Sequence, residues 1–124
     1  MSRSVIFVAI GGMIGCVARF GLVSLVASLL PSSFPYGTFL VNVIGSFAIG
    51  AAVGFAQRYD WLHHDWRIFL TAGFCGGFTT FSAFALENVE LLLDKNYLTF
   101  GLYSVLTFII CLAACFLGLV LIRN

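Results

Sequence analysis

The chain has 124 residues and a formal net charge of +1; hydrophobic residues make up 61% of it and charged residues only 9%. Soluble domains carry about 25% charged residues, so this composition excludes a soluble globular fold and indicates an integral membrane protein. A net charge this close to zero also gives no support for nucleic-acid binding, which needs a basic patch or stripe.

Four apolar segments are each long enough to cross about 30 Å of hydrocarbon as a helix. They cover residues 4–30, 37–57, 67–93 and 97–122, with short linkers between them. The first segment is too long for a cleaved signal peptide, and no clear cleavage site follows it. We therefore predict an all-α membrane protein in which residues 1–124 form one domain with four transmembrane helices.

The first span combines small residues with one buried charge. Gly11 and Gly15 lie one helical turn apart, a spacing that predicts close packing against another helix. Arg19 follows on the same span, where a guanidinium is costly unless it meets a polar cavity, a partner or an interface. Two interpretations of Arg19 stay open at this point: a structural or snorkelling role, and attraction of an anion.

The second span has one small and polar face. Asn42, Ser46 and Gly50 follow one another at helical spacing, and Gly54 continues the line. An asparagine in lipid must find hydrogen-bond partners, because its amide both donates and accepts. The spacing alone favours a role for Asn42 in joining helices over a role in binding a ligand.

The linker over residues 58–67 is typical of the membrane–water interface. Trp61 and Trp66 favour the headgroup level, and the charged residues around them remain in contact with water. His63 and His64 stand near two aspartates, which suggests a metal site. Adjacent histidines point apart on a helix, so we expect these two to hold no metal.

The third span contains a stretch that is built to interrupt a helix. Three glycines fall within residues 73–77, and Thr79 and Thr80 follow with hydroxyls that can bond released backbone groups. Non-helical backbone at membrane depth survives only where protein buries it or where it lines a polar cavity. We therefore predict a break at residues 76–80, midway through the membrane.

Beyond the break, the third span continues with paired rings and a carboxylate. Phe81 and Phe84 share a helical face, and Thr80, Phe84 and Glu87 also fall on one face. Core packing is the commoner role for two phenylalanines at this spacing. Glu87 is either a residue of an ion path or the wet end of the span.

The fourth span adds a line of small polar groups. Tyr103, Thr107, Cys111 and Cys115 follow at steps of four residues. A metal site formed by the two cysteines lacks further ligands at suitable spacing, so the pattern favours packing. Because all four cysteines of the chain lie inside predicted spans, no disulfide framework follows from them.

Three segments together resemble the Fluc family of fluoride channels, also called CrcB. They are Gly11-Gly12-x-x-Gly15-x-x-x-Arg19, the stretch GTFLVNVIGSF at residues 37–47, and the stretch GFCGGFTTFSAF at residues 73–84. The resemblance extends over nearly the whole chain, and the last stretch is its most specific part.

The resemblance implies an antiparallel, dual-topology homodimer in the plasma (inner) membrane of a prokaryote. Such a dimer contains two pathways for passive export of cytoplasmic fluoride. A structural sodium ion lies at the dimer interface, and in this chain the backbone carbonyls of Gly76 and Thr79 would hold it. The resemblance and the sequence pattern give these candidate residues for the fluoride pathway: Arg19, Asn42, Thr80, Phe81, Ser82, Phe84, Glu87, Tyr103 and Thr107.

Two positions depart from the family's pattern. Ala83 stands where the family usually has threonine, and Cys111 stands where a serine is sometimes found. The missing hydroxyl at residue 83 removes one step of the expected track, so we expect slower conduction.

The distribution of basic residues gives a different expectation for topology. Arg3, Arg58, Arg67 and Arg123 fall on one side of a four-span chain, while Lys95 falls on the other. The positive-inside rule therefore places both termini in the cytoplasm, whereas the family resemblance implies both orientations within one dimer.

Other classes of membrane protein fit the residues less well. A small four-span multidrug-type exporter, also a dual-topology dimer, needs a carboxylate in its binding chamber, where the first span here offers Arg19. A structural subunit of a membrane complex would use the glycine faces for packing only. We expect no enzymatic activity, because no Ser–His or paired-Asp constellation falls at membrane depth.

Overall fold

The computed structural model describes residues 2–60 and 63–124, so Trp61 and its predicted place at the interface lie outside the described residues. Its helices are α1 (Ser2–Leu29), α2 (Tyr36–Arg58), α3 (His64–Ile68), α4 (Gly76–Phe78), α5 (Phe81–Leu93) and α6 (Tyr97–Arg123), and a π-helical segment (Phe69–Cys75) joins α3 to α4.

Four helical stretches of the described chain are long and apolar enough to cross a membrane. They cover residues 2–29, 36–58, 64–93 and 97–123, so each predicted span corresponds to one of them. The prediction of an all-α protein with four membrane-spanning helices is confirmed. The third stretch differs from the others because it combines α3, the π-helical segment, α4 and α5.

The third span begins at a polar cluster that also holds the start of α1. His63 precedes α3, and its Nδ1 accepts a hydrogen bond from the Asp65 backbone N–H at 3.2 Å. The buried Asp65 carboxylate forms an ion pair with Arg3 Nε at 2.7 Å. Two of the residues considered for a metal site, His63 and Asp65, are therefore engaged in capping α3 and in pairing with α1.

The turn between α5 and α6 reverses the chain within three residues. Lys95 adopts a positive φ of 58°, and its N–H bonds the Leu92 carbonyl at 3.0 Å. Asn96 then caps α6 by accepting a hydrogen bond from the Thr99 N–H at 3.4 Å. This turn makes α5 and α6 antiparallel neighbours, which places residues around 84–88 beside residues around 103–107.

Glycines on α2 and α6 let these two helices approach closely. A Cβ added to Gly54 would lie 2.7 Å from the Leu119 carbonyl oxygen, and one added to Gly50 would overlap the Cys115 carbonyl. A Cβ added to Gly118 of α6 would likewise overlap backbone atoms of α2. The small face predicted for α2 is therefore a contact face, since any larger residue would separate the two backbones.

The predicted close contact at Gly11 and Gly15 is also confirmed. A Cβ on Gly11 would lie 2.5 Å from the Phe69 carbonyl oxygen, and one on Gly15 would overlap the Phe74 carbonyl. From the other side, a Cβ on Gly77 would lie 2.5 Å from the Gly12 carbonyl. Helix α1 therefore packs backbone to backbone against the π-helical segment and α4.

The predicted break at residues 76–80 was wrong for its first three residues. Gly76–Phe78 is helical, and only Thr79 (φ −89°, ψ 160°) and Thr80 (φ −153°, ψ 117°) leave the helical region. No glycine of the described chain has a positive φ, so glycine's conformational freedom is not what interrupts the helix. Gly73 and Gly77 instead allow the backbone of α1 to approach closely. The local sequence cannot reveal this requirement, because it depends on a second helix.

Replacing Gly15 by alanine is expected to destabilise the protein. The added methyl overlaps backbone atoms that cannot rotate away, and overpacking of this kind costs about 1–3 kcal/mol. The measurement is the midpoint of thermal unfolding in detergent, followed by size-exclusion chromatography. Gly21→Ala is the matched control, because a Cβ there meets nothing within 4 Å; equal midpoints for the two variants would contradict the packing argument.

Candidate functional site

Asn42 bonds the backbone of Thr80, where the helix of the third span is interrupted. Its Oδ1 accepts a hydrogen bond from the Thr80 N–H at 2.8 Å, and its Nδ2 donates to the Thr80 carbonyl at 3.1 Å. The predicted role of Asn42 in joining helices is therefore realised at the point where the helix stops. The second amide hydrogen has no acceptor among residues 2–60 and 63–124, and Asn42 also lines a cavity described below.

The interruption releases two backbone carbonyls from their usual donors. In a continuous helix the Gly76 carbonyl would accept from the Thr80 N–H, and the Thr79 carbonyl from the Ala83 N–H. The Thr80 N–H instead donates a hydrogen bond to Asn42 Oδ1, and the Ala83 N–H donates one to Thr80 Oγ1 at 3.1 Å. Thr80 thereby caps α5, and both carbonyls are left without their helical partner.

Arg19 reaches the interruption from α1. Its Nε donates a hydrogen bond to the Gly77 carbonyl at 3.0 Å, and its side chain is partly buried. The helix end at α4 exposes carbonyl groups with a partial negative charge, which a guanidinium stabilises. This contact supports the structural interpretation of Arg19, and it also places a positive charge beside the break.

Glu87 is half-buried and is bonded to two buried hydroxyl groups. Its Oε2 accepts a hydrogen bond from Thr38 Oγ1 at 2.7 Å, and its Oε1 accepts one from Tyr103 Oη at 2.8 Å. Thr38 is 2% exposed and Tyr103 is fully buried. Sequence reasoning assigned no role to Thr38, although it precedes Asn42 by four residues and so extends the polar face of α2.

A row of aromatic rings runs from the interruption to this cluster. The centroids of Phe81 and Phe84 are 5.5 Å apart, those of Phe84 and Tyr103 5.0 Å, and those of Tyr103 and Phe34 5.4 Å. Phe81 stands at the outer end with 78% of its surface exposed. The rings thus connect an exposed surface with the half-buried carboxylate of Glu87, and Phe34 is a member that sequence reasoning missed.

An open cavity of about 620 Å³ lies between α2, the interruption, α5 and α6. It is mostly apolar, with hydroxyl, amide and thiol groups at intervals along its wall. The lining residues are Asn42, Ser46, Thr80, Phe81, Phe84, Ser104, Thr107, Phe108, Cys111, Leu112 and Cys115.

Some of the predicted pathway residues line this larger cavity, and others do not. Asn42, Thr80, Phe81, Phe84 and Thr107 line it. Among the remaining candidates, Glu87 lines a second cavity of about 140 Å³, as does Thr38. The other three candidates line neither cavity. Tyr103 is buried between the residues of the two cavities and bonds Glu87, and Arg19 contacts α4. Ser82 is exposed, with its Oγ 3.3 Å from Thr80 Oγ1.

Thr107 has an unusual environment on the cavity wall. Its Oγ1 is buried and has no hydrogen-bond partner in the described part of the chain, although the residue is only 8% exposed. A buried hydroxyl without a partner costs about 1–3 kcal/mol, so its place in a stable fold calls for an explanation. A ligand that accepts a hydrogen bond would supply that partner once a rotation of the Thr107 side chain brings the covered oxygen to the cavity surface.

Four apolar spans, a third helix interrupted beside a cavity, and hydrogen-bond donors along the cavity wall define a small membrane protein with an open, mostly apolar cavity that carries polar groups at intervals. The family comparison then identifies the group: a profile described as "CrcB-like protein, Camphor Resistance (CrcB)" matches residues 6–119. The chain belongs to this family.

Individual relatives match along almost their full length. A protein of Azobacteroides pseudotrichonymphae is 44% identical over 121 residues, which are 98% of this chain and 97% of the relative. One of Geobacter metallireducens is 38% identical over 98% of both chains, and one of Nitratidesulfovibrio vulgaris is 40% identical over 94% of both. All three relatives are named "Fluoride-specific ion channel FluC".

Proposed function

We propose that this chain forms a fluoride-selective channel through which cytoplasmic fluoride leaves the cell by passive electrodiffusion. The names of its relatives and its membership of the CrcB family support this function. The structural observation that carries it is the unpartnered Thr107 hydroxyl, which lies on the same cavity as Asn42 and the rings of Phe81 and Phe84.

The chemistry of this wall suits a small anion. Fluoride is strongly hydrated and accepts hydrogen bonds well, so a pore must replace its water with fixed donors. The second Asn42 amide hydrogen and the Thr107 hydroxyl are neutral donors, and the edges of Phe81 and Phe84 carry positive partial charge. Neutral donors hold an anion less tightly than a guanidinium would, which allows it to leave as well as to enter.

The half-buried carboxylate of Glu87 defines the next part of the proposed route. The hydroxyls of Thr38 and Tyr103 direct their hydrogens to Glu87, which lines the smaller cavity. An anion that reaches these hydroxyls has to take their hydrogen bonds from the carboxylate. Glu87 therefore competes with the permeating ion for these hydroxyls on the wall of the smaller cavity.

We propose that the working unit is an antiparallel homodimer with both orientations in the membrane. Phe81 is 78% exposed and the larger cavity is open at the surface of a single chain, so a second copy would enclose both. The bias of arginines toward one side favours a single orientation, and it is the observation against this arrangement. Cysteine labelling from each side of the membrane would distinguish one orientation from two.

We further propose a structural sodium ion held by the carbonyls of Gly76 and Thr79 at the dimer interface. Both carbonyls have lost their helical donors, and Gly76 is exposed on the chain's surface where a partner could approach. Carbonyl oxygens released by an interrupted helix are suitable sodium ligands. The ion would compensate the partial negative charge of these carbonyls and hold the two interruptions together.

Removal of sodium is expected to lower the thermal stability of the purified protein. A ligand at about 100 times its Kd stabilises the folded state by about 2.7 kcal/mol, which is lost when the ion is absent. The measurement compares unfolding midpoints in sodium and in N-methylglucamine at equal ionic strength. Gly45→Ala should reduce the difference, because its methyl would overlap the Thr79 side chain; identical midpoints for the unsubstituted protein would contradict a sodium site.

Fluoride efflux from liposomes tests the proposed function directly. Vesicles that contain the purified protein should lose fluoride rapidly and retain chloride, with no proton or sodium gradient supplied. Efflux that depends on a proton gradient would favour the multidrug-type exporter instead. Vesicles that retain fluoride under every gradient would contradict the channel function.

A further inference from the structure

The α6 wall of the larger cavity carries two thiols one helical turn apart. Cys111 and Cys115 both line the cavity, and Thr107 precedes them by one more turn. Sequence reasoning placed these cysteines in helix packing, but the structure places their side chains on the cavity wall. Cys16 is exposed on α1 and Cys75 is buried beside α1, and neither lines this cavity.

The spacing of the two thiols suits a single shared ion. Residues four apart on a helix have Cβ atoms about 5–6 Å apart and project from the same face. The open cavity runs along this face from Thr107 to Cys115, so the wall is not a closed packing surface. Thiolates select soft cations, and a linear two-coordinate ion such as Cu⁺ or Hg²⁺ needs only two sulfur ligands.

A four-coordinate metal such as zinc does not fit the same place. Structural zinc sites use four nitrogen or sulfur ligands. The described residues contain no group of three or more histidine, cysteine or acidic side chains that could hold a metal. The lack of further ligands was the argument against a metal in the sequence. Within the described chain it rules out ions that need four ligands, but not ions that need two.

We propose that Cys111 and Cys115 form a binding site for a soft, thiophilic cation, and that the bound cation obstructs the cavity. With Hg²⁺ two S–H bonds break, two S–Hg bonds form and two protons pass to water, so no oxidation or reduction takes place. The product is neutral, which suits a mostly apolar wall because an uncompensated charge would be costly there. The binding step depends on the two thiols alone, whereas the obstruction of transport rests on the proposed channel function.

Thiol protection tests the binding step without any measurement of transport. The protein in detergent is incubated with Hg²⁺, alkylated with N-ethylmaleimide and examined peptide by peptide by mass spectrometry. We expect Cys111 and Cys115 to be protected together at one Hg²⁺ per chain, and we expect Cys111→Ser to remove the protection of Cys115. Protection of Cys16 alone, or two Hg²⁺ bound independently at residues 111 and 115, would overturn the site.

Fluoride efflux tests the second step. Hg²⁺ should reduce efflux from liposomes to the rate of vesicles without protein, and the efflux of the Cys111→Ser Cys115→Ser double variant should be the same with and without Hg²⁺. Cys16→Ser is the matched control and should be blocked like the unsubstituted protein. Continued efflux with both thiols protected would overturn the obstruction, and efflux that is absent before Hg²⁺ is added would contradict the channel function while leaving the thiol result intact.

Discussion

Replacing Asn42 by aspartate is expected to reduce fluoride efflux by about 30- to 150-fold. The carboxylate can accept from the Thr80 N–H, but it cannot donate to the Thr80 carbonyl as the amide does at 3.1 Å. It also places a negative charge on the cavity that an anion has to enter. Loss of a buried hydrogen bond with its desolvation penalty is worth about 2–3 kcal/mol, which corresponds to the fold-change given.

Asn88→Asp provides the matched control for this experiment. Asn88 is buried on α5 and accepts a hydrogen bond from Ser104 Oγ at 3.2 Å, a bond that a carboxylate can also accept. It does not line the larger cavity. Both variants should elute as the unsubstituted protein does in size-exclusion chromatography. If Asn42→Asp conducts as well as Asn88→Asp, then Asn42 has no part in the pathway.

The four spans could be predicted from sequence because hydrocarbon imposes a strong and local constraint. Every backbone group of a lipid-exposed segment must be bonded within that segment, so long apolar runs become helices whatever surrounds them. The resulting helices begin and end within three residues of the predicted limits. Close packing at Gly11 and Gly15 could be predicted for a similar reason, since small residues one turn apart are recognisable in a single segment.

The exact place of the interruption could not be predicted, because a residue distant in sequence decides it. The glycines at 76 and 77 remain helical, and the helix stops where Asn42, 38 residues earlier in the chain, takes both backbone groups of Thr80. The preceding π-helical segment likewise has no local signal, and it lies where α1 packs against the backbone. Tertiary contacts, rather than local propensity, position this part of the site.

The side-chain contacts of the polar cluster around Glu87 could not be predicted from the sequence either. Its partners Thr38 and Tyr103 come from two other helices, and the bond to Thr38 joins residues 49 positions apart. Helical spacing could place each residue on a face of its own helix, but it could not show which faces meet. Ser82 illustrates the converse, because it belongs to the predicted track and yet does not line the larger cavity.

The substitution Phe81→Ile is expected to lower fluoride efflux by about tenfold while leaving the stability of the chain nearly unchanged. Phe81 is 78% exposed, so its removal costs little packing within one chain. What it does contribute is a ring at the open side of the cavity, 5.5 Å from the ring of Phe84. Edge-to-face pairs of aromatic rings, which use the same positive edge, are worth about 0.5–1.5 kcal/mol, and the upper value taken for the ion corresponds to the expected loss.

Phe20→Ile separates this effect from a general effect of removing a large exposed ring. Phe20 lies on α1, is 75% exposed and lines neither cavity, so it matches Phe81 in chemistry and exposure but not in position. Its efflux should equal that of the unsubstituted protein. Because Phe81 is exposed in one chain, its effect on efflux has to arise from the ion or from a second chain. Cross-linking in the membrane distinguishes these causes: a Phe81→Ile dimer that forms normally and conducts poorly assigns the ring to the ion, whereas unchanged efflux removes Phe81 from the pathway.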